Sequence, residues 1–540
     1  MAYYGIPSAG LVLTASNGND TVALANLGGT TLTATTIFGA DGNDIISLAA
    51  VGFTAVASAH VSGQEASGGI ARVTATLQGS STYTNFASGI VAVGSDLSVS
   101  VTGVITSQQA ARNVNATLLQ ANAGNDTILL GASLQRVSAS TLAGGQGNDF
   151  IAGGTNVNNQ FDATANALSG AVFVSTNLEG GQGNDTIALR GSALYTSVNL
   201  NANEGNDLLD LNGAVIQNSI LGMGGGNDVV SGGIASISTS TIAGGKGNDT
   251  IQLIGVTNQS VVIAGDRANN GNQDGDGNDS IFIAGTTISS TVYGGGGNDS
   301  VTWSGVGGSG NFISLNAGFD VFTANAASVL INSTVALGNN GDLFDVAGTS
   351  TIQSSQINLG KGLDTLTLGD IDAGTGSYSN TTLVGGAGND LLLASATLSG
   401  GGTVAMILGY NADSESTISA FDTIGVSIAA GRSGDYQFRY EVGGAAAASF
   451  SAVGYSATNG VVTFTSTFAT DVTARAEAVA TASSAGNTSV FIDGAGISYL
   501  FVKGSSENLV AQVGINAVSG GLNDASLNVG AGKNITLSLG

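Results

Sequence analysis

The stretch Ala243–Leu253, AGGKGNDTIQL, recurs in related forms along this chain of 540 residues. Its central triplet, Gly-Asn-Asp, occurs intact eleven times, and degenerate copies end at Asp320, Asp342 and Asp364. Neighbouring copies lie mostly about 21 residues apart, and a fixed period of this size is typical of a solenoid, in which each repeat forms one coil stacked on the last. The chain is therefore predicted to be a repeat protein.

The residues that flank the triplet predict two strands in each coil. An aliphatic residue preceded by Thr, Ser or Asn stands seven residues before most of these aspartates, as Ile242 stands before Asp249. Apolar residues follow the aspartate at the second and fourth positions, as Ile251 and Leu253 do. This alternation is typical of half-buried strands. We therefore predict an all-β solenoid of parallel, in-register strands, with a column of aliphatic side chains inside.

The turn between these strands resembles a known calcium-binding repeat. Gly244–Gln252, GGKGNDTIQ, fits the nonapeptide G-G-x-G-x-D-x-U-x at every defined position, as do Gly144–Ala152, Gly180–Ala188 and Gly385–Leu393. Over roughly residues 10–400 the chain resembles the RTX family of calcium-binding secreted bacterial proteins, in particular surface proteins of the S-layer type. The resemblance implies a right-handed parallel β-solenoid like the RTX β-roll. Here, however, the motif lies on one edge of a longer coil.

Glycine and aspartate suit a calcium turn for physical reasons. Ca²⁺ takes six to eight oxygen ligands at about 2.3–2.6 Å, and glycine adopts the backbone angles that aim consecutive carbonyl groups at an ion. Stacked coils would place successive carboxylates about 4.8 Å apart, where bare charges repel one another. We therefore expect about a dozen Ca²⁺ ions along one edge, bound as a condition of folding. The expected metal ligands are Asp20, Asp44, Asp126, Asp149, Asp185, Asp207, Asp228, Asp249, Asp274, Asp276, Asp279, Asp299, Asp320, Asp342, Asp364 and Asp390.

Composition limits the classes of partner. The chain has 37 acidic and 12 basic residues and a formal charge of −25, which argues against nucleic-acid binding because Lys and Arg are sparse and scattered. About a dozen Ca²⁺ ions would cancel most of this charge. The chain has no cysteine, so disulfide bonds and thiolate metal sites are excluded. No apolar run is long enough to span a membrane.

The calcium-binding solenoid is predicted to occupy residues 1–402, with three irregular segments. Residues 50–120 form either coils without aspartate or a projecting insertion. Thr155–Leu168 is expected to bulge from one coil because the spacing of the aspartates increases there. The acidic segment Gly265–Asp279 would bring Asp266, Asp274 and Asp276 near the ions, as an extra calcium site or as a solvated loop.

Residues 403–540 are predicted to form a mainly β C-terminal domain, because the repeat register stops near residue 400 and aromatic residues become frequent. One helix is expected over Thr470–Ser484, with Thr470 or Asp471 as the N-cap. Alternation on both sides of Asp493 predicts a hairpin over Ser489–Gly504. The segment resembles the terminal domain of secreted RTX surface proteins, which implies a role in export, assembly or calcium-triggered folding.

These features favour a structural protein over an enzyme: a secreted, calcium-dependent, self-assembling surface-layer or extracellular matrix protein. A β-helix polysaccharide-modifying enzyme would need clustered Lys, Arg, His or Tyr, whereas the one histidine, His60, lies in the irregular segment. A calcium-dependent adhesin or ice-binding protein is a further alternative. Ice binding needs a regular threonine column, and the column that includes Thr241 and Thr291 is interrupted by Asn177 and Asn199.

The expected partner is a second copy of the chain, in a homo-oligomeric lattice or filament, with cell-surface polysaccharide as a further candidate. No nucleic acid and no membrane span are expected. The RTX resemblance implies type I secretion with an uncleaved C-terminal signal. The N-terminal segment 1–5 fits this route because it lacks the basic and apolar parts of a secretory signal peptide. We therefore expect an extracellular location at the cell surface.

Overall fold

The computed structural model describes only part of the chain at the level of side chains. These residues are 136–151, 171–234, 236–255, 258–266, 277–347, 350–369, 381–393, 416–419, 421–424, 448–458, 460–495, 497, 499–504 and 508–511. For most of the other residues that are described, only strand backbones are given. The chain forms two compact units, Met1–Asp279 and Ser280–Gly540, which are described in turn.

The predicted parallel β-solenoid is confirmed, but a regular coil has three strands rather than two. One coil of unit one consists of Val172–Val174, Asn177–Gln182 and Thr186–Ala188. Each strand pairs in parallel with its counterpart in the next coil, so that three sheets run along the unit. The first strand has three residues and one buried side chain. It is therefore too short to show an alternating pattern in the sequence.

In unit one the three sheets take their strands in the order of each coil. The first sheet contains Thr31–Thr33, Ala55–Ala57, Arg112–Asn115, Leu134–Ser138, Val172–Val174, Leu194–Thr196, Val215–Gln217 and Ser236–Ser238. The second contains Val12–Thr14, Thr36–Phe38, His60–Ser62, Leu118–Ala123, Thr141–Gln146, Asn177–Gln182, Asn199–Glu204, Ile220–Gly225, Thr241–Lys246 and Val262–Ala264. The third contains Asp126–Leu130, Phe150–Gly153, Thr186–Ala188, Leu208–Asp210, Val229–Gly233 and Thr250–Gln259, which continues into the first sheet. Thr21–Leu24 pairs with both Tyr3–Tyr4 and Ile45–Ser47. The remaining strands are Ala75–Thr76, Ile90–Gly94 and Val101–Thr102.

Two alternatives were predicted for residues 50–120, a projecting insertion or coils without aspartate. Strand pairing favours the insertion. Ala55–Ala57 pairs directly with residues of Arg112–Asn115, and His60–Ser62 pairs directly with residues of Leu118–Ala123. Direct pairing leaves no place for further coils between the two strand sets. Ile90–Gly94, from between them, pairs antiparallel with the third-sheet strand Asp126–Leu130. The predicted bulge at Thr155–Leu168 lies outside the described residues.

Unit two also has three strands per coil. Its first sheet contains Ser280–Ile288, Gly307–Ser309, Val329–Ile331, Thr351–Gln353 and Ser377–Gly388. The second contains Thr291–Gly296, Phe312–Ala317, Thr334–Asn339, Gln356–Gly362, Ala405–Gly409 and Gln437–Glu441, and Ser377–Gly388 continues into it. The third contains Ser300–Trp303, Val321–Ala324, Leu343–Val346, Thr365–Leu368, Leu391–Ala396 and Thr423–Ile428, and Ser280–Ile288 begins in it.

The sequence predicted that the repeat register stops near residue 400. In the structure, parallel strand pairing continues beyond this point. Leu391–Ala396 pairs in parallel with Thr423–Ile428, and Ala405–Gly409 pairs with Gln437–Glu441. The spacing hides these coils because 32 residues separate Asp390 from the next aspartate of the register, Asp422. Asp422 also lacks the Gly-Asn pair in front of it.

C-terminal strands cover the edge strands of this solenoid. Thr423–Ile428 pairs in parallel with Asn508–Asn516, and Gln437–Glu441 pairs antiparallel with Asn534–Leu539. These edge strands are therefore not open to pairing with another chain. The other C-terminal strands are Ala446–Ala447, Phe450–Ala452, Tyr455–Thr458, Val461–Phe464, Asn487–Ile492, Ser498–Lys503 and Ala525–Gly530.

The predicted helix and hairpin of this region are confirmed. The helix spans Val472–Ala482, and its N-cap is Asp471, whose Oδ1 accepts a hydrogen bond from the Ala474 backbone N–H at 2.8 Å. Asn487–Ile492 and Ser498–Lys503 form the antiparallel hairpin. The helix packs on this sheet through Ala476 and Val479, which are 3% and 0% exposed.

Apolar columns, one side chain per strand, fill the inside of the coils. The second-sheet column in unit one is Leu142, Leu178, Leu200, Leu221, Ile242 and Ile263, each at most 1% exposed. Aromatic residues stack between coils at Phe173–Tyr195 and Phe322–Phe344, with ring centroids 4.7 and 5.0 Å apart. Burying one such side chain contributes about 1.5–3 kcal/mol. The apolar columns therefore stabilise the stacking of coils. The stability of the whole stack also depends on the polar groups at the corners of the coils.

Candidate metal centre

The aspartates of the repeats form a buried, hydrogen-bonded ladder in each unit. The backbone N–H of Asp185 donates to Oδ1 of Asp207, and that of Asp207 donates to Oδ1 of Asp228, each at 2.7 Å. The ladder of unit one contains Asp149, Asp185, Asp207, Asp228, Asp249 and Asp279. The ladder of unit two contains Asp299, Asp320, Asp342, Asp364, Asp390 and Asp422. All of these side chains are at most 3% exposed.

All predicted ligands whose side chains the structure describes lie in these two ladders. One further member, Asp422, was not predicted from the sequence. Asp422 accepts from the Asp390 backbone N–H at 2.9 Å, and its own N–H donates to Oγ of Ser416 at the same distance. The apolar Ile424 two residues later was the available signal. Of the other predicted ligands, Asp126 lies in a strand described only by its backbone, and Asp20, Asp44, Asp274 and Asp276 lie outside the described residues.

The second carboxylate oxygen of the ladder residues is buried without hydrogen bonds in several coils. Seven Oδ2 atoms share this state, those of Asp185, Asp207, Asp228, Asp249, Asp320, Asp342 and Asp364. A carboxylate oxygen removed from water without a compensating partner is costly, and the charged form is the more costly one. The geometry therefore requires a proton or a cation beside these oxygens.

Burial raises the pKa of the ladder carboxyls. The pKa rises from the ordinary 3.8 to about 6 at Asp185, to about 7 at Asp342 and to about 8 at Asp249. Desolvation is the main cause, a backbone hydrogen bond to the carboxylate partly offsets it, and neighbouring carboxylates raise the pKa of Asp342 and Asp249 further. Asp266, 3% exposed at the start of the acidic insertion, contributes to this repulsion at Asp249 and Asp279.

The asparagine of the Gly-Asn-Asp triplet forms a second ladder at the surface. The backbone N–H of Asn206 donates to Oδ1 of Asn184, and that of Asn227 donates to Oδ1 of Asn206, at 2.8 and 2.7 Å. The asparagine ladder runs in the opposite direction from the aspartate ladder, because each Asn accepts from the following coil and each Asp accepts from the preceding one. The triplet thereby supplies two side-chain acceptors, one to the backbone of the following coil and one to the backbone of the preceding coil.

The corner between the first and second strands of the coil is held by neutral hydroxyl groups. Ser219 Oγ donates to the Gln217 carbonyl at 2.8 Å and accepts from the Val198 backbone N–H at 3.0 Å. The Ser219 N–H in turn donates to Oγ of Ser240 at 3.1 Å. A hydroxyl both donates and accepts, so this ladder satisfies itself without a charge. The aspartate edge differs because a carboxylate can only accept.

The turn on the aspartate edge brings further oxygens towards the orphaned carboxylate atoms. A Cβ atom placed on Gly180 would lie 2.5 Å from Asp185 Oδ2 and 2.6 Å from the carbonyl oxygen of Ala202 in the next coil. The carboxylate oxygen and the carbonyl oxygen therefore both lie against Gly180, within the volume that any side chain there would need. Such an all-oxygen donor set suits Ca²⁺.

Backbone oxygens are needed to complete such a site. Among the side chains that the structure describes, no group of three or more His, Asp or Glu residues converges to hold a metal. Asp185 and Asp249 would each supply a carboxylate oxygen, and the carbonyl groups of Ala202 and Gly265 would supply backbone oxygens. Bound there, Ca²⁺ would supply the positive charge that the carboxylates lack.

The comparison with protein families finds the same repeat. The family model of the RTX calcium-binding nonapeptide repeat matches residues 139–157, 176–191, 239–252, 283–302 and 375–396. A comparison with curated proteins finds no match. In the part of the chain that the structure describes, no helix is both long and apolar enough to cross a membrane.

The fold, the buried carboxylate ladder and the family match agree. RTX repeats bind calcium through turns of this sequence, and they are typical of secreted proteins. The chain is an RTX calcium-binding repeat protein with a parallel β-solenoid fold.

Proposed function

We propose that this protein is a secreted, non-enzymatic structural protein that folds on calcium and assembles into a surface layer or extracellular matrix. The observation that carries the proposal is the buried ladder of carboxylates in each unit, with Oδ2 atoms that lack a hydrogen-bond partner at residues such as Asp207 and Asp342. Folding then depends on the supply of calcium, and extracellular calcium modules operate at about 10⁻⁴–10⁻³ M. Export by a type I system as an unfolded chain would fit this dependence.

Charge supports assembly in the presence of calcium. At a formal charge of −25, copies of the calcium-free chain repel one another, and bound Ca²⁺ reduces that repulsion. The edge strands Thr423–Ile428 and Gln437–Glu441 are covered by the chain's own C-terminal strands, so these strands are not the contact. We propose that copies meet through the sides of the coils, and that cell-surface polysaccharide is a candidate anchor.

Two exposed apolar residues of unit two support a lateral contact. Phe319 and Leu363 are 63% and 70% exposed. They directly precede Asp320 and Asp364, at the position where most coils carry the asparagine of the surface ladder. An apolar side chain at this position leaves the asparagine ladder incomplete, and it gains free energy when a second molecule covers it.

Calcium addition is expected to produce particles larger than the monomer. Light scattering on purified protein would follow their growth as Ca²⁺ rises into the millimolar range, with Mg²⁺ at equal ionic strength as the control. Phe319→Ser with Leu363→Ser should raise the calcium concentration needed for assembly and leave folding by circular dichroism unchanged. A protein that folds yet stays monomeric throughout would contradict the surface-layer function and favour a soluble calcium-dependent adhesin.

A further inference from the structure

The last aspartate of the unit-two ladder is hydrogen-bonded to a serine instead of a further carboxylate. At each earlier rung of this ladder, the backbone N–H of an aspartate donates to Oδ1 of the aspartate in the next coil. The backbone N–H of Asp422 donates to Oγ of Ser416 at 2.9 Å, and Ser416 is 0% exposed. A neutral hydroxyl therefore takes the place of the next carboxylate, and the ladder ends without a further charge.

The same hydroxyl reaches a sheet of the C-terminal region. We name this the terminal sheet, and its strands are Tyr455–Thr458, Val461–Phe464, Asn487–Ile492, Ser498–Lys503 and Asn508–Asn516. Oγ of Ser416 donates to the carbonyl group of Val510, and the Ser416 carbonyl group accepts from the Val510 N–H at 2.9 Å. Because a hydroxyl donates and accepts at once, one oxygen joins the last rung of the ladder to a strand of the terminal sheet.

The residue before Asp422 makes a second contact with the terminal sheet. Phe421 occupies the position at which most coils carry the asparagine of the surface ladder. Its ring meets that of Tyr499 edge to face, with the ring centroids 5.6 Å apart. Tyr499 and Val510 belong to the apolar core that also contains the helix residues Ala476 and Val479. The coil of Asp422 thus contacts a sheet that has an apolar core of its own.

Each side of this junction supplies a partner that the other needs. The Asp422 and Ser416 side chains are both 0% exposed, and a polar group that is buried without a partner is unfavourable. When the coils of the ladder are ordered, the Asp422 N–H lies in place for Ser416 Oγ, and Oγ in turn lies in place for Val510. The terminal sheet is therefore more stable on an ordered ladder than beside a disordered one.

We propose that Ser416 is a positioning residue that couples the order of the aspartate ladder to the stability of the terminal sheet. Calcium bound in the coils then stabilises the hairpin Asn487–Ile492 and Ser498–Lys503, whose strands carry no ladder aspartate. Such coupling is reciprocal, so a docked terminal sheet also stabilises the last coils. The proposal rests on the calcium-linked folding proposed above, and it does not depend on the surface-layer function.

Hydrogen exchange of the full chain in calcium, read by mass spectrometry, would test the coupling. Ser416→Ala removes the hydroxyl and leaves the Asp422 N–H without its acceptor. Peptides from Asn487–Ile492 and Ser498–Lys503 should then exchange about tenfold faster than in the parent protein, as expected for one lost buried hydrogen bond. Ser416→Thr keeps a hydroxyl and should retain most of the protection.

Ser333→Ala is the matched control within the coils. Ser333 is 2% exposed, and its Oγ donates to the Ile331 carbonyl group at 3.0 Å and accepts from the Asn311 N–H at 3.2 Å. This variant loses an equivalent buried hydroxyl, and its hairpin should exchange as in the parent protein. Hairpin exchange that is unchanged in Ser416→Ala, or equally fast in both alanine variants, would overturn the coupling.

Chelation of the unmodified protein gives a second test that needs no variant. Peptides from Thr334–Asn339 report whether the coils have lost order, and the hairpin peptides in the same sample report the terminal sheet. We expect exchange to rise in both. Coils that exchange freely beside a hairpin that stays fully protected would overturn the coupling. Coils that stay protected would instead contradict calcium-linked folding, and the Ser416→Ala comparison in calcium would still decide the role of the serine.

Discussion

Without calcium, the solenoid is expected to be most stable at about pH 4 and to lose its β structure as the pH rises from there to about 8. The folded-state pKa is about 6 at Asp228, 7 at Asp364 and 8 at Asp249, against an ordinary value of 3.8. In this range the folded chain therefore binds more protons than the unfolded chain, and the free energy of unfolding falls as the pH rises. Protons replace the missing ions at low pH and leave at high pH.

Circular dichroism of chelated protein across this pH range would measure the effect. The calcium-loaded protein is the control, and its spectrum should change little between about pH 6 and 8 because ions hold the carboxylates in their charged form. A chelated protein that is more ordered at pH 8 than at pH 5 would contradict the buried environment of the ladder.

Gly226→Ala is expected to destabilise the protein far more than Gly255→Ala. Both glycines have positive φ, 137° and 88°. A Cβ atom on Gly226 would lie 1.8 Å from the Gly205 carbonyl oxygen in the preceding coil, whereas one on Gly255 would meet nothing within 4 Å. Gly255→Ala should cost about 1–2 kcal/mol from backbone strain alone. The added overlap should bring the cost of Gly226→Ala to about 3 kcal/mol or more.

Urea unfolding at saturating calcium would compare the two variants. Because both substitutions add one methyl group at a glycine with positive φ, the difference between their midpoints isolates the close approach of neighbouring coils. Equal midpoints would mean that the turns of neighbouring coils are not as close as Gly226 and Gly205 are in this structure.

The sequence predicted the parts of the fold that repeat with a clear physical pattern. Leu178 and Ile187 flank Asp185 at the expected distances, and both are at most 1% exposed inside the coil. Offsets of 21 or 22 residues between hydrogen-bonded aspartates match the predicted coil length. Register, core columns and helix could be predicted because each depends on local residue types.

The parts that were missed depend on contacts between coils. The short first-sheet strand is followed by residues such as Ser197 and Asn218, which adopt positive φ although they are not glycine. The sequence therefore carried no glycine signal for a turn at this corner. The buried hydroxyl that follows, as at Ser219, was the available signal. Asp422 was missed because inserted residues lengthen its coil, and spacing alone cannot show that the chain returns to the stack.

The calcium dependence of the fold at neutral pH tests the central claim, that buried carboxylates must be neutralised before the coils stack. Far-UV circular dichroism near about pH 7.5 would be recorded in chelator and then during calcium titration. We expect a disordered spectrum in chelator and a steep, reversible gain of β structure as calcium is added, with no such gain when Mg²⁺ replaces it. A β spectrum that survives exhaustive chelation at this pH would show that the apolar columns suffice without ions, and would contradict the claim.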